Sequence, residues 1–322
     1  MATQEDNGIP FTIHQQQQNL RLLELPQDLL ALITSMDPPR WSLVLRSTRA
    51  SPTTSGNAVL CTDTKTYEIR QVHSSNSVLV LQPTEIASVP TDGQLVPAYG
   101  ISAIARCTTM LELLPAKVDA PALLRHVLQE FSDPQSGLRN KQAGEENMTS
   151  QGPSKSDIFD DMPLSVQEFE DAWTELCAFE SDSTCWVPTA ACLCGIWRSI
   201  MSAASIKGLS LQDSVYIHDL VELVMENGFE EPLLHAVLSR LHLVKTTPRD
   251  GWATISADKC VPWVGTVLLA SESLQPGGIS ISDFLLNWQN LLPEAWRPHV
   301  ALNLLRLTGE VLATIKQQDH AL

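Results

Sequence analysis

Apolar and polar positions alternate in short runs over the first third of the chain and recur at helical spacing through most of the rest. The sharpest alternation lies in Asn57–Pro83, NAVLCTDTKTYEIRQVHSSNSVLVLQP. Ala58-Val59-Leu60-Cys61, Thr66-Tyr67-Glu68-Ile69-Arg70 and Ser77-Val78-Leu79-Val80-Leu81 read as three strands of a meander. β-Branched and aromatic residues sit there between the polar breaks Thr62-Asp63-Thr64 and Ser74-Ser75-Asn76, and Pro83 closes the third strand. Upstream, Leu20–Leu25 and Trp41–Arg46 read as strands around a short helix at Pro26–Met36, where Leu29, Leu30, Leu32 and Ile33 are apolar. Residues 1–18, ending in Gln15–Gln18, read as a loose arm, Ser47–Gly56 as a loop, and Thr108–Pro115 as a further extended run.

Helical spacing begins at Pro121–Phe131, where Leu124, Val127, Leu128 and Phe131 fall at i, i+3, i+4 and i+7. Ser132–Lys155 holds almost no apolar residues and cannot offset its ordering entropy, so it reads as a linker. Beyond it, helices are predicted at Ile158–Met162, from a Ser165…Glu168 capping box to about Phe179, and at Ser214–Met225, Pro232–His242, Ser282–Leu292 and Trp296–Leu307. Strands are predicted at Cys185–Pro188, Trp252–Ile255 and Glu310–Ile315, and Pro262 predicts a kink. The helix ends near Leu176, Leu241 and Leu305 lie about 65 residues apart. Helix, turn, helix and β-hairpin in that order is the winged-helix plan. The expected fold class is α+β, a small N-terminal β module followed by tandem winged-helix units. The expected divisions are an arm at 1–18, a β module with a trailing helix at 19–131, a disordered linker at 132–155, and winged helices at 156–205, 206–257 and 258–322, the third with a single wing strand.

Strand edges in the β module carry the expected binding chemistry. The strands look short and their loops long, so Val59, Tyr67, Ile69, Val78, Leu79, Val80 and Leu81 are the expected partner-binding edge, finished by strands from other chains. Charge then limits what those partners are. The net charge is −16, and residues 164–247 alone carry 4 basic against 12 acidic side chains. Such a surface repels phosphate backbones and argues against an autonomous tight DNA binder. The basic positions that remain for polymerase or DNA contact are Arg240, Lys245, Arg249, Arg297 and Arg306, with Trp296 as an interface anchor.

Catalytic chemistry finds little support. Cys192 and Cys194 are split by one residue in an apolar helical run, which is wrong for a zinc pair, and Cys177 and Cys185 do not mend it. His235, His242 and Cys260 form no recognisable nucleophile motif, and no phosphate-binding loop occurs. No metal or cofactor is expected. Seven cysteines, odd in number and irregularly spaced, suit a reducing compartment. No run of 18 apolar residues suggests a membrane span, and the polar, acidic start reads as no signal peptide.

Leu22–Pro26, Trp41–Arg46, AVLCTDTKTYEIR, SNSVLVLQP and the downstream block Ile255–Cys260 follow one another in a distinctive order. In this they resemble the sister-chromatid-cohesion family called "defective in sister chromatid cohesion", a subunit of the alternative replication clamp loader. The resemblance spans roughly Leu22 to Leu307. It implies a non-catalytic, nuclear protein whose β module assembles with a very small subunit and the C-terminal tail of the large ATPase subunit into shared β-barrels. It also implies winged helices that dock the loader on the catalytic subunit of DNA polymerase epsilon, with the sliding clamp reached indirectly. Two other readings of the residues stand beside it: a winged-helix transcription regulator, and a cytosolic enzyme of unknown type.

Overall fold

β-Branched and aromatic runs collect in the first part of the molecule and helical stripes in the second, and the structure divides accordingly. The computed structural model describes residues 9, 11–35, 43–47, 58–91, 94–132, 152–242, 251–272 and 280–305, without the side chains of residues 74 and 86–98. The fold is mixed α+β with open sheets. One unit holds residues 1–118 and 162–167, the other residues 119–161 and 168–322.

The first unit is a mixed sheet with one helix. Its elements are β1 (Phe11–Ile13), β2 (Leu22–Glu24), α1 (Gln27–Ile33), β3 (Val44–Ser47), β4 (Ala58–Cys61), β5 (Thr66–Thr91) and β6 (Gln94–Pro115). The strand order is β1-β6-β5-β4-β3, and β2 also pairs with β6. β1 and β2 run parallel to β6 and the other pairs are antiparallel. Two expectations change here. Phe11–Ile13, assigned to the loose arm, form a strand in register with Ile101–Ala103. The second and third meander strands, expected to be separate and short, are parts of one long strand. The register passes from His73 opposite Thr109 to Val78 opposite Cys107, leaving the four residues Ser74–Ser77 of β5 against Thr108 alone on β6. Ser74-Ser75-Asn76 is therefore a bulge and not a turn. β6 offers a continuous partner on both sides of it, so the ladder resumes after the interruption.

A small core closes the base of this sheet. Leu29 of α1 packs with Leu60, Tyr67 and Leu113, and Leu25, Leu32 and Ile69 flank them. Residues 162–167 return to the same unit. Arg46 Nη1 donates to the Met162 carbonyl at 2.9 Å, and the Ser165 amide donates to Thr66 Oγ1 at 2.9 Å.

The second unit opens with α2 (Ala120–Val127) and β7 (Gln129–Phe131). The helix expected to run on to Phe131 stops at Val127. Leu128 is extended, and β7 pairs with a later strand across a long stretch of sequence. Next come α3 (Lys155–Asp161), α4 (Val166–Glu175), β8 (Phe179–Ser181) and β9 (Thr184–Pro188), with sheet order β7-β9-β8. Phe131 packs edge-on against Phe179 and Trp186, at 5.2 and 5.9 Å between ring centroids. α4 ends short of Phe179 because Cys177 turns the chain at φ 51°.

α5 (Ala190–Lys207) is capped by Thr189, whose side chain accepts from the Cys192 amide, and ends at Gly208 in the left-handed region (φ 65°). β10 (Ser214–Tyr216), α6 (His218–Glu226), α7 (Glu231–Leu241), β11 (Trp252–Thr254), α8 (Ala257–Glu272) and α9 (Ile281–Asn290) follow. Ser214–Tyr216, expected to start a helix, is a strand because it pairs with Trp252–Thr254. α8 continues through Pro262. The expected helix at Trp296–Leu307 is replaced by two 3-10 stretches, Glu294–His299 and Leu302–Leu304, since Pro298 cannot donate to an α-helical ladder. The strand expected at Glu310–Ile315, Trp41 and most of the linker lie outside the described residues.

One large core holds the second unit together. Cys192, Ile196, Trp197 and Ile200 of α5 join Leu220 and Val224 of α6, Leu234, Val237 and Leu241 of α7, Val264 and Leu268 of α8, and Phe284 and Trp288 of α9. Its two most deeply buried indoles are satisfied. Trp197 Nε1 donates to the Leu291 carbonyl at 2.7 Å, and Trp288 Nε1 to that of Val261 at 2.9 Å.

Candidate partner-binding surface

The residues expected to form a binding edge divide into a buried base and a bare upper part. Val59 and Tyr67 are buried at the base, and Ile69 is half-buried against the small core. They shape the sheet and do not present it. Tyr67 Oη donates to Asp28 Oδ2 at 2.8 Å, and Lys65 Nζ donates to the same oxygen at 2.7 Å. These bonds, Lys65 first and then Tyr67, with help from the Leu29 amide, hold the Asp28 carboxyl down at about 2. They tie α1 to the turn between β4 and β5.

Above Ile69 the surroundings change. β4 pairs with β5 only over Thr66–Glu68. From Arg70 onward β5 has β6 on one side and, among the described residues, no strand on the other. Val78 is 47% exposed and Leu79 43%, Leu81 is also exposed, and Val80 is half-buried. Successive strand residues point to opposite faces, so exposure of both Val78 and Leu79 brings apolar area to water on both faces of β5. Small buried residues stand opposite: Cys107 against Val78, Ala105 against Val80, and Ala103 against Leu81. Phe11 and Ile13, in register with Ile101 and Ala103, extend the exposed apolar surface across β6, and Tyr99 adds to it. Sequence reading missed these three. The alternation Phe-Thr-Ile was present, but it is too short to stand out beside a glutamine run.

An uncovered strand edge offers backbone donors and acceptors to an added strand, and its apolar side chains offer burial. The site carries no reactive groups. All seven cysteines are buried and free. Burial pushes the Cys177 thiol up to about 12 and Cys185 to about 11, and raises Cys194 and Cys260 as well. Among the described residues no group of His, Cys, Asp or Glu is placed to hold a metal ion, and no helix is long and apolar enough to cross a membrane.

The profile of one protein family, described as Sister chromatid cohesion protein Dcc1, matches residues 20–321. The chain belongs to the Dcc1 family. No curated protein matches it. Its role therefore lies in sister chromatid cohesion, and the match covers nearly all elements of both units.

The second set of expected contact residues in this Dcc1-family protein is dispersed. Lys245, Arg249 and Arg306 lie outside the described residues. Arg240 sits in the last turn of α7, with its Nε buried and lacking a hydrogen-bond partner. Arg297 is exposed and its Nε donates to the Leu292 carbonyl at 3.2 Å. Trp296 is 6% exposed and belongs to the large core, so its indole packs the unit and does not stand out as an anchor. The turn that buries it is set by tertiary packing, which its position beside Arg297 did not reveal.

Proposed function

We propose that this Dcc1-family protein is a non-catalytic subunit of an alternative replication clamp loader in the nucleus. In this reading its β module is completed by strands from the C-terminal tail of the large ATPase subunit and from a very small third subunit. The observation that carries the proposal is the β5 edge beyond Ile69, which has no strand neighbour among the described residues and exposes Val78, Leu79 and Leu81. The three chains together would form the shared barrel that the open sheet leaves unfinished.

We read the second unit as tandem winged helices. α5, β10, α6, α7 and β11 follow the order helix, strand, helix, helix, strand, with β10 beside β11. α2, β7, α3, α4, β8 and β9 repeat it, with β9 between β7 and β8. On this reading the winged units begin at α2, α5 and α8, earlier than the sequence divisions. α4 occupies the place of a DNA-reading helix and carries Glu168, Glu170, Asp171 and Glu175. That charge repels phosphates and supports docking on protein, here the catalytic subunit of DNA polymerase epsilon. The sliding clamp is then an indirect partner, and DNA contact is weak.

The test is co-expression of the full chain with the two barrel partners. Leu79→Asp should abolish co-purification and leave the helical circular dichroism of the chain unchanged. Assembly that survives Leu79→Asp and Val78→Asp together would overturn the proposal. Fluorescence anisotropy with duplex DNA should give weak, easily competed binding, and tight binding that persists in high salt would favour a transcription regulator instead.

A further inference from the structure

We propose that the outer face of the β10–β11 ribbon is a docking platform for an arginine-bearing basic segment of a protein partner. The proposal does not rest on the clamp-loader reading, because the β5 edge belongs to the other unit. Register alone sorts the two faces. Ser214 pairs with Thr254, Val215 with Ala253 and Tyr216 with Trp252. Val215 and Ala253 enter the large core, so Tyr216 and Trp252 stand together on the opposite face.

Both aromatic rings are exposed, Trp252 at 51% and Tyr216 at 37%. Every other described tryptophan is buried or half-buried. The two rings lie 5.3 Å apart between centroids, tilted at 46°, and His218 stands edge-on to Tyr216 at 6.1 Å. The backbone makes room for this group. Gly251 has φ 76°, and a Cβ there would lie 2.8 Å from Tyr216 Cε2, so only glycine lets the phenol ring lie so close. The Gly251 carbonyl accepts from the Ile217 amide at 2.7 Å, and the Ser214 and Thr254 hydroxyls share a hydrogen bond at 2.8 Å. The rings are thus held in place while their faces remain in water.

Charge selects the occupant. Asp213 precedes β10 and Asp219 lies in the first turn of α6, both exposed. The stretch 164–247 holds 12 acidic and 4 basic side chains. Two described lysines near the ribbon in sequence are engaged: Lys207 pairs with Glu222 at 3.6 Å, and Lys259 donates to the His242 carbonyl. Single-stranded nucleic acid also stacks on aromatic rings, but it needs a cationic track for its phosphates, and the described charges next to Tyr216 in sequence, Asp213 and Asp219, are acidic. A guanidinium fits both features. It stacks on aromatic faces, whose quadrupole attracts cations, and the neighbouring carboxylates add to that attraction.

The test is fluorescence anisotropy on the full chain with labelled dodecapeptides of alternating Arg-Gly, Lys-Gly and Glu-Gly, and with a labelled oligo-dT. The Arg-Gly peptide should bind most tightly. Trp252→Ala should weaken it about five- to tenfold and Trp252→Phe by less, with circular dichroism unchanged. Asp219→Asn, which leaves the rings in place, should weaken it about two- to threefold and keeps the test sound if Trp252→Ala fails to fold. The proposal is overturned if the wild-type chain ignores the Arg-Gly peptide, or if Trp252→Ala binds it equally well. Preference for oligo-dT or the Glu-Gly peptide would also overturn it. So would self-association of the chain that Trp252→Ala abolishes, since the occupant would then be a second copy.

Discussion

The upper hairpin of β5 and β6 and the helix α5 are both rich in apolar residues, but they dispose of them in opposite ways. Along α5, Cys192, Cys194, Ile196, Trp197, Ile200, Ala203 and Ala204 are all buried, because α6 and α8 lie against the helix. Along the hairpin, Val78, Leu79 and Leu81 stay exposed, because among the described residues only β6 lies beside this part of β5. One region converts its apolar residues into folding stability within the chain. The other retains apolar area and backbone hydrogen-bonding capacity that another chain can use. A solvent-exposed strand of this kind is an aggregation hazard unless it is covered, so the difference separates a part that covers its own apolar residues from one that leaves them open.

The comparison breaks most visibly if the second unit proves insensitive to its core. Trp288→Ala removes a fully buried indole and should cost about 3–5 kcal/mol in urea unfolding followed by circular dichroism. A loss under about 1 kcal/mol would mean that the core is not the support described here. Leu29→Ala, in the much smaller core of the first unit, should cost about 2–4 kcal/mol in the same assay. Asp28 sharpens the contrast through pH. Its folded value, about 2, lies below its ordinary 3.8, so its stabilising contribution is present above about 3.8 and is lost as pH falls toward about 2. Urea midpoints measured from pH 5 to 2 should fall more steeply for the wild type than for Asp28→Asn, and parallel curves would refute the clamp. The smallest effect belongs to the hairpin. Leu79→Asp should shift the stability of the chain alone by less than about 0.5 kcal/mol, since the residue already faces water. A large loss would show that Leu79 is a core residue and that the edge is not bare.

Much of the second unit was legible because helical periodicity is a local signal. Glu231–Leu241 and Ile281–Asn290 lie where the spacing of Leu234, Val237, Leu238 and Leu241, and of Phe284, Trp288 and Leu292, predicts helices. The exposed edge of β5 was legible in part. Val78, Leu79 and Leu81 are exposed, whereas Val59 and Tyr67 turned inward, since alternation marks a strand without saying which face meets a core.

Composition and spacing by themselves determined the mixed α+β class, the acidic character and the positions of α4, α7 and α9. Each follows from residue type or from contacts within a few turns of chain. The tertiary structure alone decided whether Ser214–Tyr216 and Gln129–Phe131 are helix or strand, because their partners Trp252–Thr254 and Trp186–Pro188 lie far along the sequence. It also decided that Ser74–Asn76 is a bulge, that Phe11–Ile13 joins the sheet, and that Trp296 is buried while Trp252 is not. All of these depend on which distant segment lies alongside, and a short run of three or four residues carries too little local energy to choose its own conformation.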